Sequence, residues 1–286
     1  MIERLTELIR RTTSDLPPDI EDALTRAAAA EPPGSQASLF LNAILENTRL
    51  AREQSLPLCQ DTGMLTFFWT VPRGTDTLAL ERAAQEAVKK ATANGWLRQN
   101  TIETLSGASI ASNVADGVPV CHFEQADTGT VEVRLLQKGG GSENMSRQFS
   151  LPDDTLGAGR DLDGVRKCVL QAVWHAQGFG CAPGILGVCI GADRGEGFIH
   201  AKRQLLRALD DESPVPALAA LERHILDEAN QLGIGPMGMG GKTTLLGVKI
   251  GVAPRLPASY FVTVAYMCWA GRRQTARWED DPRNIQ

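Results

Sequence analysis

Residues 118–144 read VPVCHFEQADTGTVEVRLLQKGGGSEN, and within this stretch the spacing of apolar residues changes from a helical to an extended period. Apolar and polar residues alternate over 131–135, as they do in a strand with one buried face. The Asp-Thr-Gly run at 127–129 is typical of a turn and separates this strand from an earlier one that includes Val120 and His122. The stretch therefore predicts two strands joined by a short turn and followed by a glycine-rich segment.

The rest of the chain adds helices and two more strands. Apolar residues recur at helical spacing, with proline, glycine or a capping residue near the ends, in seven segments: 2–11, 19–30, 38–54, 77–93, 163–175, 201–209 and 217–232. Two apolar runs predict buried strands: 185–190 and 261–266. Helices mixed with buried strands predict an α/β fold, mixed α+β, with helices surrounding the strands. No repeat or low-complexity linker divides the sequence, so we expect one large domain over residues 1–286.

The composition narrows the class of protein. The 286 residues are 43% hydrophobic, which is enough to bury a substantial core. With a formal net charge of -5 and a pI of about 5.5, the chain lacks the basic footprint of a nucleic-acid-binding protein. No apolar run reaches membrane-spanning length and no signal peptide is recognisable, so we expect a cytoplasmic protein. Its six scattered cysteines are not expected to form disulfides in that compartment.

A thiol, an amide and a carboxyl group stand side by side in the segment LCQDTG, residues 58–63. Pro57 restricts the backbone before this segment, and Gly63 allows a sharp change of direction after it. Cys59 and Asp61 in one turn suit a site at which a metal and a proton donor contact the same small ligand. The alternative is a buried cysteine in an ordinary Asp-Thr-Gly turn.

The glycine run at 139–141 directly follows a predicted strand and precedes Ser-Glu-Asn at 142–144. Three consecutive glycines suit a close approach of the backbone to another group, and their N–H groups could bind a carboxylate. A flexible hairpin loop is the alternative.

A second glycine-rich segment, 233–244, contains both a G-x-G-x-x-G pattern and the sequence GKT. It follows a predicted helix rather than a strand, and Pro236 stands where a P-loop requires glycine. We therefore expect neither a dinucleotide fingerprint nor a P-loop.

Three of the six cysteines lie at the end of a predicted loop or strand: Cys59, Cys181 and Cys268. The other three lie within predicted helices or strands: Cys121, Cys168 and Cys189. Structural zinc generally has four protein ligands. An iron–sulfur cluster held by three thiolates instead leaves one iron open to a substrate, as a Lewis-acid catalyst requires. A thiol-based zinc protein remains an alternative.

Seven motifs, in order along nearly the whole chain, resemble those of the class I iron–sulfur fumarate hydratases and of the α subunits of L(+)-tartrate dehydratases. The motifs are CQDTG (59–63), LRQN (97–100), NVADGVPVCHFE (113–124), KGGGSENMS (138–146), GCAPGILGV (180–188), AKRQLLR (201–207) and GIGPMGMGGKTTLLGVKI (233–250). The resemblance implies reversible addition or removal of water on a small dicarboxylic acid: fumarate or malate, tartrate or a close relative.

The resemblance also implies roles for particular residues. A [4Fe-4S] cluster would be bound by three cysteines, namely Cys59, Cys181 and Cys268. Gln60 and Asp61 would contact the substrate, with Asp61 as the proton donor to the departing hydroxyl. Arg98 would bind one substrate carboxylate through a bidentate pair, although a solvated arginine at a helix end is the alternative. Gly141 would donate its backbone N–H to the other carboxylate.

Two features depart from the family pattern. Many relatives have a histidine twelve residues before the third cluster cysteine, where this chain has Leu256. The smaller C-terminal domain that supplies the catalytic base is absent from the sequence, so the resemblance implies a β-subunit partner and a homo- or hetero-oligomer. These departures also leave open a non-catalytic or regulatory member that keeps the fold without full dehydratase activity.

Overall fold

The computed structural model describes residues 1–279, and residues 280–286 of the expected domain lie outside the described part. The helices are α1 (Ile2–Ser14), α2 (Pro18–Ala30), α3 (Gln36–Gln54), α4 (Thr77–Ala93), α5 (Gly140–Asn144), α6 (Leu162–Ala176), α7 (Arg194–Gln204) and α8 (Pro216–Gln231). The strands are β1 (Met64–Pro72), β2 (Val120–Ala126), β3 (Thr130–Lys138), β4 (Arg147–Ser150), β5 (Gly184–Gly191), β6 (Leu245–Ala253), β7 (Phe261–Met267) and β8 (Arg273–Glu279). Among residues 1–279, no helix has the length and apolar character needed to cross a membrane.

The described residues fall into two compact units. The first unit comprises Met1–Pro17, Glu46–Gly140 and 272–279, and the second comprises Pro18–Leu45 and Gly141–Gly271. Each unit contains one four-stranded mixed sheet. The predicted mixed α/β class is confirmed, and the assignment of residues 1–286 to one domain stays a prediction.

The sheet of the first unit has the strand order β2-β1-β3-β8. Strand β1 is parallel to β2 and antiparallel to β3, which pairs antiparallel with β8. Alternate residues of β1 and β3, such as Phe67 and Val133, are fully buried in one cluster with Leu5 and Ile9 of α1 and Val88 of α4. This core fixes β1, and with it the CQDTG turn that leads directly into the strand.

The sheet of the second unit has the order β4-β7-β5-β6, and every residue of its strand β5 is buried. One face of β5 packs with α6 and α8, where Val188 joins Val169 and Ile225 in the core. On the other face, a Cβ built on Gly187 would lie 2.1 Å from the carbonyl oxygen of Ala201 in α7. Glycine is therefore needed there for the backbone of α7 to lie against the strand.

The sequence prediction misplaces one helix and misses four strands. The helix predicted over 201–209 is α7, which begins at Arg194 and ends at Gln204. Gly195 and Gly197 lower the helix propensity of its first turns, yet Asp193 caps them by accepting from two backbone N–H groups. Strands β1, β4, β6 and β8 had no counterpart in the sequence prediction.

Candidate functional site

The turn at residues 58–63 connects α3 to β1, and its backbone is held by side chains from elsewhere in the first unit. Four side chains donate hydrogen bonds to four of its carbonyl oxygens: Asn47 to Leu58 (3.0 Å), Arg98 to Gln60 (3.4 Å), Arg272 to Asp61 (2.9 Å) and Gln137 to Thr62. Of the donors, Gln137 and Arg272 are almost completely buried. The conformation of the turn is therefore set by the core around it and not by its local sequence alone.

Asp61 is half-buried, and both of its carboxylate oxygens accept backbone hydrogen bonds. The N–H of Gly63 donates to Oδ1 at 2.9 Å, and the N–H of Gly140 donates to Oδ2 at 2.7 Å. A Cβ built on Gly139 would lie 2.8 Å from the same Oδ2. The glycine run thus makes the close backbone approach that its sequence predicted, and the group that it approaches is Asp61.

The glycine run ends in a short helix and not in a hairpin loop. Gly140 is the first residue of α5, and Gly141, the residue predicted to bind a substrate carboxylate, is the second and is exposed. Gln60 is exposed as well.

Arg98 is exposed and follows the end of α4, which is the setting of the solvated arginine given as the alternative; its role in substrate binding stays a prediction. Its guanidinium donates to the carbonyl oxygen of Gln60, so the structure brings Gln60, Asp61 and Arg98 together in the first unit. Its backbone contacts two buried side chains that the sequence did not single out as site residues, Thr62 and Asn113. Thr62 and Asn113 lie 36 and 15 residues from Arg98 in the chain, so no local pattern identifies the contacts.

Cys181 and Cys268 both belong to the second unit, and Cys59 belongs to the first. Cys181 has a left-handed backbone (φ 54°) just before β5, and its carbonyl oxygen accepts from the N–H of Trp269 at 3.2 Å. Cys268 precedes Trp269 and follows β7, so these two cysteines lie at neighbouring positions in the fold. Nearby Tyr266 is buried and its pKa is raised, first by removal from water and then by Cys268 and Cys181.

The six cysteines divide into two sets by their surroundings. Removal from water raises the pKa of Cys121 and of Cys168 to about 12 and that of Cys189 to about 11. These three thiols resist the deprotonation that metal binding requires. Four cysteines are half-buried: Cys59, Cys181 and Cys268 at the ends of loops or strands, and Cys121 within β2.

Three further observations concern candidate ligand sites. Within residues 1–279, the geometry gathers no group of three or more His, Cys, Asp or Glu side chains that could hold a metal ion. The GKT sequence is used structurally, because the Lys242 N–H donates to Glu31 and its ammonium donates to the carbonyl oxygen of Ala30. Leu256 is 74% exposed in the connection between β6 and β7.

Comparison with known proteins gives one consistent result. The chain is 46% identical over 276 residues to a protein of Geobacillus stearothermophilus provisionally named fumarate hydratase class I; the match covers 96% of this chain and 54% of the relative. The chain thus spans about half the length of that relative.

Two other relatives match over nearly their whole length. A Methanocaldococcus jannaschii protein, provisionally named L(+)-tartrate dehydratase subunit alpha, is 34% identical over 286 residues, which cover 98% of each chain. The L(+)-tartrate dehydratase subunit alpha of Escherichia coli K12 is 29% identical over 280 residues, covering 96% of this chain and 90% of the relative.

A family model described as fumarate hydratase (Fumerase) matches residues 2–277. The match extends over both units of the fold and includes all seven motifs quoted from the sequence. The resemblance stated from those motifs is thereby confirmed: this chain belongs to the fumarate hydratase (Fumerase) family.

Proposed function

We propose that this chain is the α subunit of a [4Fe-4S]-dependent hydro-lyase that reversibly adds or removes water on a small dicarboxylic acid. The substrate would be fumarate or malate, tartrate or a close relative. Family membership over residues 2–277 supports this proposal. So does the alignment over nearly the full length of two relatives named as subunit alpha of L(+)-tartrate dehydratase.

The observation that carries the proposal is the division of the cysteines. Removal from water raises the pKa of the thiols of Cys121, Cys168 and Cys189, each of which lies within a helix or strand. The half-buried cysteines at the ends of loops or strands are the set that the motifs assign to the cluster: Cys59, Cys181 and Cys268. Three partly accessible thiols suit a cluster that leaves one iron without a protein ligand. When bound, such a cluster supplies a Lewis acid that makes a hydroxyl a better leaving group.

The chain's own residues would bind and protonate the substrate. Elimination of water breaks a C–O bond and a neighbouring C–H bond and forms a C=C bond. Arg98 would hold one carboxylate, and Asp61 would give the departing hydroxyl its proton. Both oxygens of Asp61 accept backbone N–H groups here. Proton donation therefore requires that one of these contacts opens when the proton is on that oxygen.

The proposal includes a separate β subunit that supplies the base for the C–H bond. This chain spans about half of the Geobacillus stearothermophilus relative but 98% of the Methanocaldococcus jannaschii subunit. The partnership, a homo- or hetero-oligomeric assembly and a cytoplasmic location stay predictions.

The test is the iron and acid-labile sulfide content of protein purified and reconstituted without oxygen. We expect about four irons and four sulfides per chain. They should be lost in Cys59→Ser, Cys181→Ser and Cys268→Ser and kept in Cys121→Ser, which serves as a matched control. A cluster that is indifferent to the first three substitutions would contradict the ligand assignment. Turnover of fumarate and tartrate would then be measured with the β subunit added.

A second candidate is a non-catalytic or regulatory family member. The exposed apolar side chain of Leu256 favours it, because a leucine cannot hydrogen-bond a carboxylate. A cluster-loaded complex with the β subunit that turns over none of these dicarboxylates would support this candidate.

A further inference from the structure

We propose that Thr62 and Asn113 are positioning residues for Arg98: together they bind its backbone N–H and its backbone C=O and so determine where its guanidinium can reach. This inference rests on the proposed role of Arg98 in binding a dicarboxylate. Neither side chain needs to contact the substrate for the inference to hold.

Thr62 binds Arg98 from the side of the CQDTG turn. Its side chain is buried, with 1% of the residue exposed, and its hydroxyl accepts the N–H of Arg98 at 3.2 Å. The same hydroxyl donates to Oδ1 of Asn100 at 3.3 Å. The Thr62 hydroxyl thus accepts one hydrogen bond and donates another, and both connect the LRQN segment to the turn that carries Asp61.

Asn113 binds the same segment at the carbonyl group of Arg98. It is 4% exposed, and its Nδ2 donates to the carbonyl oxygen of Arg98 at 2.7 Å and to the hydroxyl of Thr92 at 3.1 Å. Its Oδ1 accepts the N–H of Thr101 at 3.0 Å. The amide of one buried side chain thus bridges the end of α4 and both sides of the LRQN segment.

The backbone of Asn113 adds an independent observation. Its φ is 56°, in the left-handed region that asparagine tolerates better than most residues with a Cβ. That conformation is maintained at a buried position whose side chain makes three contacts with the Arg98 segment and its neighbours. Local strain kept in this way is consistent with a positioning function.

These contacts matter because little regular structure supports Arg98. Between α4 and β2 the described chain forms no helix or strand beyond isolated bridges. The Arg98 side chain is exposed and donates a long hydrogen bond of 3.4 Å to the carbonyl oxygen of Gln60. The location of the guanidinium therefore depends on a backbone held by Thr62 and Asn113.

The test compares Thr62→Val, which keeps the shape and removes the hydroxyl, with Thr62→Ser, which keeps the hydroxyl. Asn113→Gly is the second variant, because glycine keeps the left-handed backbone while removing the amide. Each would be assayed in the cluster-loaded complex with the β subunit, using fumarate and tartrate. Amide hydrogen exchange of residues 97–101 would be followed in the same samples.

We expect Thr62→Val and Asn113→Gly to raise KM by about 10-fold to 100-fold, with a smaller change in kcat, because displacement of a binding group by ~1 Å costs this much. Amide exchange over 97–101 should accelerate in both variants. Thr62→Ser should restore KM and the exchange rate to near wild-type values. A variant that fails to fold leaves the other to decide the matter.

Three results would overturn the inference: an unchanged KM despite faster exchange, a raised KM without faster exchange, or a Thr62→Ser protein as impaired as Thr62→Val. If the wild-type complex turns over neither acid, the proposed function fails. Exchange alone then decides the positioning role, since unaltered exchange at 97–101 in both variants refutes it.

Discussion

Replacing Gly63 by alanine tests the idea that the CQDTG turn requires a close backbone approach. Gly63 has φ 72°, and a Cβ built on it would lie 2.6 Å from the carbonyl carbon and oxygen of Lys138 and 2.9 Å from the nitrogen of Gly139. The left-handed conformation costs about 1–2 kcal/mol for a residue with a Cβ. Displacing the opposing backbone adds about 1–3 kcal/mol. We therefore expect Gly63→Ala to lower the free energy of unfolding by about 2–5 kcal/mol.

Gly74 provides the matched control for this measurement. It has φ 82°, and no atom lies within 4 Å of a Cβ built there. Gly74→Ala should therefore cost the conformational term alone, about 1–2 kcal/mol. Urea unfolding of both variants gives the difference directly, and equal losses would refute the steric argument. In the Gly63 variant, displacement of the N–H that binds Asp61 should also lower turnover, whereas Gly74→Ala should leave turnover unchanged.

Three further predictions concern individual side chains. Gln137→Leu should lower the free energy of unfolding by about 2–5 kcal/mol, because the buried hydroxyl of Thr13 and the carbonyl oxygen of Thr62 lose the hydrogen bonds that they make to Gln137. The control in urea unfolding is Gln125→Leu at an exposed position, and similar losses in both variants would contradict the prediction. Asp193→Ala should cost about 1 kcal/mol in a thermal melt, because α7 loses its N-cap, and no change in Tm would count against this account. In cluster-free protein, iodoacetamide at pH 8 should label Cys59 and spare Cys168. The Cys168 thiol has a pKa of about 12, so at pH 8 only about one molecule in ten thousand carries the reactive thiolate. This thiolate fraction should increase about tenfold per pH unit until the pH approaches the pKa. Peptide mass spectrometry would show a Cys168 adduct at pH 8 if that reasoning is wrong.

The amphipathic helices were the most predictable part of the fold. Helix α4 has the predicted bounds, because alanine and charged residues alternate at helical spacing and Asp76 caps its first turn. Helix α7 was displaced in the prediction because Gly195 and Gly197 weaken the local helical pattern. Gly197 is required by packing, since a Cβ there would lie 2.6 Å from Oγ1 of Thr263.

Strands flanked by glycine-rich segments were harder to predict. The run 64–72 is apolar apart from Thr66 and Thr70 and has no regular alternation to distinguish a strand, although it pairs parallel with β2 and antiparallel with β3. Strand β6 begins directly after the glycine-rich segment 233–244, which contains the GKT sequence. In both strands, the deciding contacts are pairings with distant parts of the chain.

The candidate site shows the same division between local and distant information. The sequence predicts Asp61 and the glycine run as two separate features, because the residue types of each segment suit a polar site. Their contact joins Asp61 to Gly140, which lies 79 residues later in the chain. The hydrogen bond from Gln137 to Thr62 spans 75 residues. A single sequence contains no signal for such pairs, since each is created by the register of β1 against β3.

The discontinuity of the first unit also constrains how a ribosome can produce this protein. Strand β3 pairs with β8, with Leu136 opposite Arg273 at one end and Thr130 opposite Glu279 at the other. These two adjacent strands are therefore translated more than a hundred residues apart. The whole of Gly141–Gly271 is synthesised in that interval. A nascent chain therefore exposes the unpaired edge of β3 until β8 leaves the exit tunnel, and the second unit has the opportunity to fold first.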